Sequence, residues 1–75
     1  MGFKVGDYII TNGGRIFQLI ATNNADGFYF FNVTLNKMSR TFDGSLMYYT
    51  RSELSSSVRC VTISELAKYR IRNGI

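Results

Sequence analysis

Seventy-five residues make one domain near the lower size limit for a core that folds without help. A single cysteine, Cys60, excludes an internal disulfide, and without histidine the chain lacks the ligands for a zinc site; no cofactor is expected. Nine Lys and Arg against five Asp and Glu give a net charge of +4, which favours encounters with polyanions and equally serves solubility alone.

The chain opens Met1-Gly2-Phe3-Lys4 with no charged leader followed by an apolar run, so the expected location is the cytoplasm of its own or a host cell, with no membrane association. Lys4-Val5-Gly6 gives a turn signal, and a first strand is predicted from about Asp7 to Thr11. Asn12-Gly13-Gly14-Arg15 follows, and an Asn-Gly pair tolerates the positive φ of a tight hairpin. A phosphate-binding glycine loop would open a helix, whereas a strand follows here, so the hairpin accounts for these residues. The second strand runs from Arg15 to Thr22, apolar on both faces except at Gln18, as expected for a strand covered on both sides or closing into a barrel.

The turn cluster Asn23-Asn24-Ala25-Asp26-Gly27 delivers the chain into its most aromatic stretch, Gly27 to Leu35, read as the central strand. A period of two puts Tyr29, Phe31, Val33 and Leu35 on one face, taken as core, and Phe28, Phe30, Asn32 and Thr34 on the other. Phe28 and Phe30 then need cover from another layer of the chain, a partner protein or a stacking ligand. Residues 36–40 break the pattern, Thr41-Phe42-Asp43-Gly44 supplies another corner, and Ser45 to Thr50 reads as a fourth strand. Residues 38–42 are left open between loop and short strand.

In the last third Thr50-Arg51-Ser52-Glu53-Leu54 is echoed twelve residues on by Thr62-Ile63-Ser64-Glu65-Leu66. A threonine three residues before a glutamate lets each side chain satisfy the other's backbone amide, so both mark helix starts. Ser55, Ser56 and Ser57 limit the first to one tight 3-10 turn, whereas Ala67 to Ile71 continue the second into a C-terminal helix stopped by Gly74. Ile63, Leu66, Ala67 and Ile71 share its inner side, and Val58-Arg59-Cys60-Val61 forms a fifth strand between the two caps.

The opening Val5-Gly6-Asp7-Tyr8-Ile9 is similar to the first strand of KOW-type barrels, and the Ser52-Glu53-Leu54 turn before the last strand resembles the SH3-like small barrel. The resemblance implies a mainly β, five-stranded barrel over residues 3–62, with the C-terminal helix and tail at 63–73. Such barrels are found in ribosome-associated, nucleic-acid-associated and small phage proteins. The chain has no tryptophan, the residue that anchors proline-rich ligands on signalling SH3 domains, so that activity is not carried over.

Catalysis is not expected. The usual proton shuttle, histidine, is missing; Glu53 and Glu65 have capping duties, and Asp7, Asp26 and Asp43 sit beside glycines in turns. Cys60 is read as a buried small hydrophobe in a strand rather than as a reactive thiol. The candidate binding surface combines Phe28 and Phe30 with Tyr48 or Tyr49 and a rim of Arg15, Arg40, Arg51 and Arg59, because bases stack on rings while cations hold the phosphate backbone. The same rings can instead be the other wall of a small core. Lys68, Arg70 and Arg72 offset the dipole of the last helical turn and can also grip phosphates. The leading expectation is a non-enzymatic module contacting nucleic acid or a nucleoprotein. The alternatives are a protein-binding adaptor or inhibitor, phage-encoded and acting on a host protein, and a homodimeric structural protein.

Overall fold

The computed structural model describes residues 2–22, 26–54 and 58–75. Their order is β1 (Tyr8–Thr11), β2 (Ile16–Ile20), β3 (Gly27–Asn32), β4 (Lys37–Met38), β5 (Tyr48–Thr50), α1 (Arg51–Leu54), β6 (Val58–Cys60) and α2 (Ile63–Asn73). The strands form one antiparallel sheet in the order β4-β3-β2-β1-β6, with β5 also pairing β3. The sheet does not close, so the expected five-stranded barrel is replaced by an open six-stranded sheet carrying a C-terminal helix. Its extents of 33 × 31 × 19 Å are those of a slab.

The register explains which side chains are covered. Ile9 pairs with Phe17, and Leu19 with Phe30, so Ile9, Phe17, Leu19, Phe28 and Phe30 all point to one face. Leu54 from α1 packs into this cluster, with Phe3, Met47 and Val58 at its margin. This overturns most of the expected assignment of the aromatic strand: Phe28 and Phe30 are 1% and 4% exposed, whereas on the odd-numbered face Val33 is buried as expected, Tyr29 and Phe31 are half-buried and Leu35 is open to solvent. The opposite face is thinner. There Ile16, Val33 and Leu66 are buried, with Tyr8, Ile10, Val61 and Tyr69 beside them. Both faces of the sheet are thus covered, one by α1 and chain margins, the other by α2.

The aromatic strand also stops three residues earlier than its hydrophobicity suggests. Asn32 Oδ1 accepts from the Leu35 amide at 3.0 Å, and Asn36 takes a left-handed φ of 55°. An asparagine side chain that bonds its own backbone this way turns the chain before Leu35 can pair. The return leg becomes β4, so Lys37 and Met38 lie in a strand rather than in a break.

Two hairpins share one geometry. Gly14 N donates to Thr11 O at 2.9 Å and Thr11 N to Arg15 O at 3.0 Å; likewise Gly44 N donates to Thr41 O at 3.0 Å and Thr41 N to Ser45 O at 2.7 Å. Each is a three-residue loop whose last residue is a glycine with positive φ, 81° at Gly14 and 90° at Gly44. The positive φ in the first hairpin therefore falls on Gly14, and the Asn12-Gly13 pair does not need it. The isolated bridge between Arg40 and Leu46 marks the base of the second.

Both capping boxes form. Thr62 Oγ1 accepts from Glu65 N at 3.1 Å while Glu65 Oε1 accepts from Thr62 N at 3.1 Å, and α2 ends at Gly74 with φ of 70°. Thr50 and Glu53 repeat the exchange at 2.7 and 3.3 Å, opening a single α-helical turn in place of the expected 3-10 turn. The serines at 55–57 and the turn cluster at 23–25 lie outside the described residues. α2 rests on the sheet through Leu66 and Tyr69, the latter hydroxyl bonding that of Thr34. Ile63 and Ile71, expected on its inner side with Leu66, are instead 89% and 82% exposed.

Candidate nucleic-acid interface

The expected aromatic platform does not exist on the surface. Phe28 and Phe30 are sealed in the larger cluster, Phe30 between Phe17 at 5.4 Å and Tyr49 at 5.2 Å between ring centroids. Tyr48 lies on the other face of the sheet, where its ring meets Tyr29 edge-on at 6.2 Å. The reason is size. With so few residues the chain needs its large rings in the core, and both faces of the sheet must be covered.

The four expected rim arginines separate into two groups. Arg51 caps the Phe28 ring at 4.9 Å and its guanidinium bonds the Phe3 carbonyl, so it closes the core. Arg59 donates from Nη1 and Nη2 to both oxygens of Glu65, at 3.2 and 2.9 Å. That fork, with the Thr62 amide, holds the Glu65 carboxyl at about 2, well below its usual 4.5, and raises the Arg59 guanidinium further. Arg51 and Arg59 are thereby engaged within the fold. On α2, Arg70 lies 6.0 Å from the Tyr8 ring centroid, and Lys68 and Arg72 are exposed.

Arg15 and Arg40 come together. They line a groove of about 630 Å³ at the end of the sheet where β2 begins and β4 runs, and Lys37 joins them. Phe17, Met38 and Met47 give this groove an apolar floor, Leu35 stands on its rim, and no acidic residue lines it. Arg15 closes the first hairpin loop, and Arg40 precedes Thr41, the residue that opens the second, its Nη1 donating to Gly44 O at 2.7 Å. Lys37 was hidden in sequence because residues 36–40 read as a break; the signal available was Asn32 followed by Asn36, which turns the chain back and makes 37–38 a strand.

The nearest acid on the second hairpin, Asp43, is tied down. Its carboxylate accepts from the Thr41 hydroxyl and from the Ser45 amide, and these bonds hold its pKa below the usual carboxylate value. Cys60 is exposed rather than buried, with Sγ 3.9 Å from Asp7 Oδ2. Partial desolvation and the Asp7 charge push its thiol above the ordinary thiol value, away from thiolate chemistry. Among the described residues no three acidic or cysteine side chains gather in a metal-binding group. No helix of the described residues is long and apolar enough to cross a membrane.

No protein-family model matches the chain, and no curated protein or solved structure is significantly similar to it.

Proposed function

We propose that this chain is a non-enzymatic binding module that contacts nucleic acid, alone or in a nucleoprotein, through the groove of Arg15, Lys37 and Arg40. The observation that carries this reading is the convergence of three cations from separate elements on one concavity that no acid lines, on a chain whose net charge is +4. Cations so arranged follow a phosphate backbone and displace its counterions, which supplies most of the affinity in sequence-independent binding.

The test is a titration of a labelled mixed-sequence oligonucleotide followed by fluorescence anisotropy, repeated between about 50 mM and 200 mM salt. Binding that weakens steeply with salt, and that disappears in the Arg15→Gln, Lys37→Gln, Arg40→Gln triple variant, supports the reading. Absence of binding by the wild type at low salt would sink it. A second reading, a protein-binding adaptor or a dimer, is favoured by Ile63 and Ile71, which stand open on α2. Light scattering that gives twice the chain mass would favour it.

A further inference from the structure

The groove has cations and an apolar floor but no open ring, since Phe17 is part of the buried cluster. One phenyl ring elsewhere on the chain is wholly open. Phe42, at the tip of the second hairpin, is 109% exposed, more than in an extended reference peptide. The backbone beneath it is fixed: Gly44 N donates to Thr41 O at 3.0 Å, Thr41 N to Ser45 O at 2.7 Å, and Ser45 N to Asp43 Oδ1 at 3.1 Å, while the Thr41 hydroxyl bonds the same carboxylate. The loop therefore holds a bare aromatic side chain outward without any contribution from that ring to the fold. A polar residue would serve the turn as well.

Arg40 connects this tip to the groove. It lines the groove with Arg15 and Lys37, and its Nη1 is bonded to Gly44 O in the loop that carries Phe42. Arg40 therefore touches both the groove and the loop that carries the ring. We infer that the ligand of this surface is a single-stranded nucleic acid, with its phosphates along Arg15, Lys37 and Arg40 and one base stacked on Phe42. The inference rests on the nucleic-acid reading proposed above. A ring on a hairpin tip needs a base face, and in a duplex each face is covered by the neighbouring pair; an unpaired strand can splay a base onto the ring irrespective of its identity.

The test uses the full chain, a fluorescein-labelled mixed-sequence single strand and its duplex, measured by anisotropy at two salt concentrations. Phe42→Ala, which removes no buried group, is expected to weaken single-strand binding by about 5- to 150-fold while leaving its salt slope unchanged. The Arg15→Gln, Lys37→Gln, Arg40→Gln variant is expected to flatten the slope by about 0.7 for each phosphate no longer neutralised. Phe42→Trp introduces the one tryptophan of a chain that has none, and its emission is expected to be quenched as the strand binds. Unchanged affinity of Phe42→Ala, or equal affinity for duplex and single strand, overturns the inference and leaves the charge-based reading standing. Full binding by the charge variant overturns both. So does a wild type that ignores oligonucleotides and instead binds anionic lipid vesicles or a protein partner through the same ring.

Discussion

A Cβ atom built on Gly27 would stand 2.5 Å from both Cζ and the hydroxyl oxygen of Tyr48, which lies diagonally across the β3–β5 pair. It would also meet the Tyr49 carbonyl oxygen at 2.6 Å, a backbone atom that cannot step aside. The glycine is there for close approach, and its φ is ordinary. Gly27→Ala is expected to lower unfolding stability by about 1–3 kcal/mol in a urea titration. A neutral result would mean that β5 does not lie this close to β3.

The same tyrosine supports a contrasting expectation. Its hydroxyl is buried with no hydrogen-bond partner among the described residues. Removing a buried polar atom that lacks a partner relieves its desolvation, so Tyr48→Phe is expected to raise stability by about 1 kcal/mol. A clear drop in stability in thermal melts would reveal a bonded hydroxyl.

Leu54 is the helical contribution to the larger cluster, delivered by a helix of only four residues. Truncating it to alanine leaves a hole over Phe28 and Phe30 that the sheet cannot collapse to fill. Leu54→Ala is expected to cost about 2–5 kcal/mol, measured by denaturant unfolding.

Acid sensitivity should centre on Glu65. Its carboxyl is held at about 2 in the folded chain against the usual 4.5, so the folded form binds fewer protons than the unfolded one across that interval. The stabilisation is therefore complete above the ordinary value and fades as pH falls towards the folded one. Glu65→Gln keeps an oxygen for the Thr62 amide but loses the charge facing Arg59, and its helical circular dichroism should depend less on pH between about 5 and 2 than that of the wild type. Glu53 and Asp43, both also lowered, preserve part of the slope. Identical acid transitions in the two proteins would contradict this account.

The two sets of cations can be compared directly. Lys68, Arg70 and Arg72 lie on α2, outside the groove that gathers Arg15, Lys37 and Arg40. Replacing the helical three with alanine is expected to change the salt slope of oligonucleotide binding less than replacing the groove three with glutamine. The reverse order, read by anisotropy, would move the interface to the helix.

Local signals were legible in the sequence and long-range ones were not. The two Thr-to-Glu spacings foretold both helix starts, and Gly74 the stop, because each involves partners within one helical turn. The alternation along Phe28 to Phe31 established that two faces exist, but with rings at every position it did not fix which is covered, and the odd-numbered face taken as core is the less buried one. The choice was made by pairing: Leu19 opposite Phe30, and Ile9 opposite Phe17, put the largest residues of three strands on one side. Phe42 carried a signal of its own. An aromatic residue inside a corner between strands has no sheet face to be buried against. The groove was only half visible, since bringing Arg15 to Arg40 requires knowing that β3 lies between the strands that follow each.

The two apolar clusters lie on opposite sides of the sheet and are unequal. Among the described residues six buried side chains make one, whereas α2 contributes one buried side chain, Leu66, and the half-buried Tyr69 to the other. The helix can therefore lift away while the six-residue layer stays intact. Its amides should then exchange with deuterated solvent through local openings long before those of β2, so that the chain behaves as two cooperative units of different endurance rather than one.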